Sequence, residues 1–345
     1  MVELSFFYFA DDGAADHDRY RLLLDGARFA DEHGFAGVWT PERHFHPFGG
    51  LFPNPAVTAA AVAAVTKRIG IRAGSVVAPL HHPLRIAEEW SVVDNISGGR
   101  AGISLASGWH PRDFVLRPEA YEDRKQRTVD VIGELRRLWA GESYSGSDAA
   151  PGEQYRVFPP PVQATLPMWL TSSGAADTFE AAGKSGVGVL THLLTQSVED
   201  LATKIAAYRG AYAASGQPGR GHVTLMMHTY LDTDLDAAEQ VVREPLYRYL
   251  ASSLDLNVGS VATKDGTRRQ TTLTESRARA VSERAYERYL RKDGLFGSVE
   301  DALPVVRRIA GADVDEIACL IDFGVPVADA VRGFRHLDAL RKAAE

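Results

Sequence analysis

Residues 69–107 read IGIRAGSVVAPLHHPLRIAEEWSVVDNISGGRAGISLAS. The first ten are apolar almost without alternation, the pattern of a strand covered on both faces. Pro83 suits the first position of a helix that runs to Ile96, and 100–107 reads as strand again. Two strands joined by a helix lie parallel, because a parallel pair needs a long crossover. Outward from this unit the alternation repeats. Toward the N-terminus, 4–9 and 35–40 are strands and 56–66 is an alanine-rich helix. Between the two strands lies a helix capped by Asp18 and stopped by Gly34, with Tyr20, Leu23, Leu24 and Ala27 on one face. Toward the C-terminus, helices at 123–140, 175–184 and 198–214 alternate with strands at 168–172, 186–190 and 223–231. A strand at 316–323 and a helix at 327–340 close the pattern.

Eight alternations predict an α/β fold, a (β/α)8 TIM barrel, as one domain over 1–345. A doubly wound open sheet is the alternative. It is disfavoured because Ala10-Asp11-Asp12-Gly13, after the first strand, holds one glycine and no dinucleotide fingerprint. Two insertions interrupt the pattern. Residues 141–163 are rich in Gly, Ser and Pro. Residues 252–276 are polar and too long for an ordinary connection, so they read as a mobile lid or a disordered segment.

Composition narrows the function. The chain is 45% hydrophobic and 24% charged, as folded globular chains are. Its net charge of −7 argues against nucleic acid as a partner, since phosphate neutralisation needs a basic face. The single cysteine, Cys319, allows no intrachain disulfide and no cysteine-based zinc site. No apolar run is long enough for a membrane span, and the N-terminus has no basic region of a signal peptide. These features point to a cytoplasmic protein.

In such a barrel, chemistry sits at the C-terminal strand ends. The second strand leads into Glu42-Arg43-His44, an acid, a permanent cation and a tunable base. The alternative is an internal Glu42–Arg43 ion pair beside a surface histidine. His44-Phe45-His46 has the His-x-His form of metal-dependent barrel hydrolases, with His192 and Asp322 at other strand ends. Those enzymes carry it on their first strand, so no metal is assigned. His81-His82 before Pro83 reads as a helix-start contact. Gly108 permits close approach and Trp109 offers a flat indole for stacking or for packing under the rim. Ser172-Ser173-Gly174 opens a helix directly after a strand, which makes either an anion site or a plain serine cap.

Four motifs in order give the chain a family likeness: Glu42-Arg43-His44-Phe45 with Pro53-Asn54-Pro55, His82-Pro83-Leu84-Arg85, Asp94-Asn95-Ile96-Ser97-Gly98-Gly99-Arg100, and Gly108-Trp109. With them the chain resembles the bacterial luciferase-like flavin-dependent monooxygenases along nearly its full length. Ser107-Gly108-Trp109-His110-Pro111 and 166–171 look like a subgroup found beside peptide and polyketide synthetases in natural-product biosynthesis.

The resemblance implies a luciferase-like barrel that binds FMN, reduced by a separate flavin reductase, and oxygenates a small-molecule or carrier-protein-tethered intermediate. It places Gly74-Ser75 behind the flavin, at a non-proline cis peptide. It places Ala106, Ser107 and Trp109 beside the ring and phosphate, Arg124 on the phosphate side, and Ser172, Ser173 and Gly174 at the phosphate. Glu42, Arg43 and His44 take the catalytic position, and His110 and His192 are candidate substrate contacts. The luciferase pattern has histidine where this chain has Arg43, which leaves His44 as the candidate base, and cysteine where it has Ala106. A homodimer is expected through the small-residue helix at 56–65, where luciferases pair. Two other readings on the same fold are a flavin- or deazaflavin-dependent dehydrogenase and a non-catalytic flavin-binding subunit.

Overall fold

The computed structural model describes residues 2–9, 18–108, 110–146, 148–150, 152–258 and 275–345. Strands β1 (Glu3–Phe7), β2 (Gly37–Thr40), β3 (Gly70–Val77), β4 (Ala101–Ala106), β5 (Met168–Ser172), β6 (Gly188–His192) and β7 (Val223–Leu231) pair in parallel, each with the next. A short β8 (Leu295–Gly297) pairs only with the C-terminal end of β7. Strand β9 (Glu316–Leu320) pairs with both β7 and β1, which closes an eight-stranded barrel. All eight expected strands are present, and the fold is the expected closed (β/α)8 barrel; β8 is an addition too short and too isolated for the sequence pattern to reveal.

The outer layer comprises α1 (Arg21–His33), α2 (Pro55–Val65), α3 (Pro83–Ser97), α4 (Arg124–Trp139), α5 (Ala176–Lys184), α6 (Val198–Ala214), α7 (Leu235–Val258), α8 (Glu275–Arg288), α9 (Val299–Gly311) and α10 (Val327–Ala344). Gly34 ends α1 at φ 77°, as expected, but Asp18 does not cap it. The Asp18 carbonyl accepts the Arg21 N–H in a turn, so the helix starts at Arg21 with Tyr20 at its cap position.

The N-terminal half of the barrel interior is filled. Arg72 lies 5.0 Å over the Trp39 ring and 5.3 Å from the Trp169 ring, and its guanidinium pairs with Glu316. Trp39 Nε1–H donates to the other Glu316 oxygen at 2.8 Å, so a fully buried charge is matched on both sides. Gly188 makes room for this layer: a Cβ there would come within 2.2 Å of the Trp169 ring. With the bottom plugged, open space remains only toward the C-terminal ends.

The first insertion is anchored. The buried Asp94 carboxylate accepts the N–H of Val162 (2.7 Å) and Gln163 (2.9 Å) and the Gln163 side-chain amide (2.7 Å), tying 141–163 to α3. The second, 252–276, begins and ends in helix, as the last turns of α7 and the first residues of α8; the expected lid at 259–274 lies outside the described residues.

Candidate active site

A cavity of about 310 Å³ opens at the C-terminal mouth of the barrel. Its wall includes nine of the residues singled out by sequence: Glu42, Arg43, Gly74, Ser75, Ala106, Ser107, Gly108, Ser173 and His192. The floor is apolar, with Phe7, Val77, Leu190 and Met226. The Gly74–Ser75 peptide is cis. Gly74 is required there, since a Cβ would meet the Phe7 ring at 2.6 Å and Trp39 at 3.2 Å. One side of the wall is a hydroxyl cluster: Thr171 Oγ1 bonds Ser75 Oγ and, at 2.6 Å, Ser104 Oγ.

Next along the chain, just past Thr171, is the start of α5. Its cap position is Ala175, and no side chain caps the helix. Ser172 instead closes its own loop, accepting Gly174 N–H and donating to the Ala175 carbonyl, both at 3.2 Å. The plain serine cap is therefore not formed beside the exposed Ser173, and within the first turn the Thr178 N–H is taken by the Ala175 carbonyl (3.2 Å) and Asp177 Oδ1 (2.8 Å). Thr195 braces this loop by donating to the Ser173 carbonyl. Gly174 has φ 115°, and a Cβ there would sit 3.0 Å from Thr195. Arg124 is half-buried in its own turn, donating to the Tyr121 carbonyl at 2.7 Å and lying 4.2 Å over the Tyr121 ring. Trp109 lies outside the described residues.

Glu42 and Arg43 do not pair with each other. Successive residues leave the strand in different directions, and each finds a separate partner. Arg43 Nη1 lies 3.1 Å from Asp113 Oδ2, with both residues 2% exposed. Burial lowers the Arg43 pKa and raises that of Asp113, in each case against the pull of the partner charge. Glu42 Oε1 accepts Nε2–H from both His44 (2.8 Å) and His81 (2.7 Å), and Oε2 accepts the Val77 N–H (2.7 Å). Burial would raise this carboxyl; the donors outweigh it and hold it below the usual carboxylate value. Among the described residues, His44 stands outside the cavity wall, directed at Glu42. His110 also stands outside it, its Nδ1 accepting the Arg112 N–H at 3.3 Å. His82 caps α3 through the Leu84 N–H, the helix-start role expected for one of the pair.

His192 is in the wall. Its Nδ1 accepts the Leu194 N–H at 3.2 Å, so the ring proton is on Nε2, and burial pushes its pKa down to about 4. It is a neutral donor at physiological pH. Two contributors were not read from sequence, Asp113 and Tyr249, and His81 was read only as a helix-start contact. Tyr249 reaches the wall from α7, far along the chain, and no local motif announces it. Asp113 follows His110-Pro111-Arg112, and nothing in that polar run marks one acid for burial.

The donor set suits a flavin mononucleotide: an apolar floor, the hydroxyls of Ser75 and Thr171, and Ser173 and Thr195 beside the start of α5. The oxygenase component of a flavin-dependent trigonelline monooxygenase from Acinetobacter baylyi is 23% identical over 314 residues, covering 89% of this chain and 84% of its own. Monooxygenase RslO1 from Streptomyces bottropensis shares the fold with a TM-score of 0.77 at 24% identity, over 98% of both chains. The oxygenating constituent of 3,6-diketocamphane monooxygenase from Pseudomonas putida, solved with FMN, gives 0.76 at 16% identity, over 99% of this chain and 98% of its own. An F420-dependent secondary alcohol dehydrogenase gives 0.70 at 15% identity over the whole of both. At these identities the structures speak for the fold alone. The family description "luciferase-like monooxygenase" matches residues 2–316, and the chain belongs to that family of oxidoreductases.

Proposed function

We propose that the chain is the oxygenase component of a two-component monooxygenase. It takes FMN reduced by a separate reductase and oxygenates a small-molecule or carrier-tethered biosynthetic intermediate in the cytoplasm. The observation that carries this reading is one cavity whose wall runs from Ser173 and Thr195, in the loops beside the start of α5, past Ser75 and Thr171 to the buried Arg43. Ser173, Gly174, Thr195 and the first N–H groups of α5 would take the phosphate, with Ser172 shaping the loop and Arg124 close by at the start of α4. Gly74, Ser75, Ala106 and Ser107 would line the ring.

Reduced FMN, when bound, supplies the electrons that activate dioxygen. The protein's part is to orient and to exclude water. Arg43 stays cationic and faces the cavity as a fixed charge. His192 offers one N–H without carrying charge. The Glu42 side chain is fully buried and its carboxylate holds His44 and His81, so the catalytic part proposed for His44 is exercised with its ring tied to Glu42.

FMN is expected to bind at least about tenfold tighter than riboflavin, because the phosphate gains charge-assisted bonds at the helix start. Calorimetry giving equal affinities would remove the phosphate from this loop. With a reductase and substrate present, oxygen uptake should accompany product formation. A second reading, a deazaflavin-dependent dehydrogenase, draws on the F420-dependent neighbour, and substrate oxidation without oxygen uptake would select it.

We also propose a homodimer. Helix α2 is apolar all round, yet Val57 on it is 66% exposed, as is Ile96 on the adjacent α3 at 50%. Light scattering should give twice the 37.5 kDa chain mass at micromolar concentration; a monomer there would refute it.

A further inference from the structure

Three successive carbonyls after β6 are held by side chains. Gln196 Nε2 donates to the His192 carbonyl at 2.8 Å, and Arg288 Nη2 donates to those of Leu193 at 2.7 Å and Leu194 at 3.4 Å. The same stretch holds the loop before α5 in its turn. Thr191 Oγ1 donates to the Ser172 carbonyl at 2.8 Å, and Thr195 Oγ1 donates to that of Ser173. Carbonyl oxygens repel an anion, so a loop that takes a phosphate needs its acceptors engaged elsewhere. We propose that Arg288 is a positioning residue for the cofactor. It holds residues 192–196, and through Thr195 the Ser173–Gly174 loop, in the form that takes the flavin phosphate. The role of the phosphate here rests on its placement proposed above.

The geometry around Arg288 suits a brace. It is the last residue of α8, and the five-residue π-helix Tyr289–Asp293 follows directly. A π-turn joins residues five apart, and Asp293, five positions on, lies 3.0 Å from Arg288 Nε. That pair fixes one edge of the guanidinium while Nη2 reaches the carbonyls. The planar fork of arginine serves a carboxylate and a backbone acceptor at once, which a lysine cannot do. The docking of this segment does not depend on Arg288. Tyr289 and Leu290 are buried, and Tyr289 packs edge-on against His228 at 5.0 Å. Asp293 also keeps a second cation, Arg308, at 3.4 Å. Removal of the Arg288 guanidinium therefore releases the 192–196 loop without undocking the end of α8 or stranding Asp293. On its far side the loop retains Gln196, whose Oε1 accepts from Lys204 Nζ at 2.8 Å.

Hydrogen exchange of the protein without FMN tests the brace. Arg288→Met should speed exchange over residues 172–176 and 192–196 by about tenfold, the worth of one hydrogen bond from a charged donor. Unchanged exchange in both stretches overturns the proposal. Calorimetry gives the second readout. Arg288→Met should lose about tenfold in affinity for FMN and nothing for riboflavin. Equal losses for both ligands, as general loosening would give, or no loss for either, overturn the proposal. Thr195→Val cuts the next link, so the double variant should lose less FMN affinity than the two single losses multiplied. A full product would mean that Arg288 does not act through Thr195, and it too overturns the proposal. Should Arg288→Met not fold, Arg288→Lys is expected to show both effects in smaller measure, and wild-type exchange and affinities in it count against the brace. If wild-type protein binds FMN and riboflavin equally, the phosphate placement fails, while hydrogen exchange still decides whether Arg288 holds the loop.

Discussion

Arg43→Ala is expected to cost about 3–5 kcal/mol of folding stability, because it strands a buried carboxylate. Arg43 and Asp113 are each 2% exposed and 3.1 Å apart, so neither can turn to water when the other is removed. Burial already raises the Asp113 pKa with Arg43 in place. Without the cation the carboxyl should rise further and protonate. A group raised in the folded state contributes stability that is present at low pH and lost as pH rises through its folded pKa. The deficit of Arg43→Ala should therefore shrink on acidification below neutrality, relative to wild type. Arg43→Met with Asp113→Leu removes both charges and keeps the volume, and it should recover most of the loss without recovering turnover. Urea unfolding of the three proteins checks this. A single-variant cost under about 1 kcal/mol would mean that water reaches Asp113, since exposed pairs are worth no more than that.

The pair also marks the limit of sequence reading. Arg43 was legible as a cavity residue, because it follows a strand that ends at the reactive face. Its partner was not, because Asp113 is seventy positions away and its burial depends on how the turn after β4 folds over the second strand end. The same division holds elsewhere. The strands β3 and β4 were legible because apolar runs bounded by Gly and Pro have few other solutions. The wall positions Ser75, Ala106 and His192 followed from strand ends alone, given a barrel. Side-chain direction did not follow. His44 was read as a group at the mouth, but its ring is directed at Glu42, and the left-handed Phe45 (φ 55°) turns the chain away just after it. Ser172 was read as a phosphate contact or a cap, and the cap is not formed: its hydroxyl bonds the Gly174 N–H and the Ala175 carbonyl within its own loop. Composition and periodicity fix which backbone faces the site. They leave open which of two adjacent side chains faces it.

Folding stability is expected to fall as pH drops from about 6.5 toward 4, before most carboxylates titrate. Burial holds His192 at about 4 and His228 at about 3. The unfolded chain protonates both near 6.5, so it binds protons that the folded chain refuses. The contribution is fully present above pH 6.5 and is lost as pH falls, at up to about 1.4 kcal/mol per pH unit for each ring. His192 stops contributing to the slope near pH 4, and His228 continues toward 3. His81, raised by Glu42, works in the opposite sense: its contribution is present below its unfolded value and is lost as pH rises. His228 can be isolated from the rest. It is 1% exposed, boxed by Tyr249 at 4.6 Å, Tyr289 at 5.0 Å and Phe323 at 5.5 Å, and neither ring nitrogen has a hydrogen-bond partner among the described residues. An unsatisfied buried polar group costs about 1–3 kcal/mol, so His228→Leu should be no less stable than wild type at pH 7. Between pH 6 and 4 its unfolding free energy should fall less steeply, by about one proton's worth of slope. Chemical denaturation at several pH values measures both quantities. Parallel pH profiles for the two proteins would show that His228 takes up its proton in the folded state as easily as in the unfolded chain, and that the aromatic box is open to water.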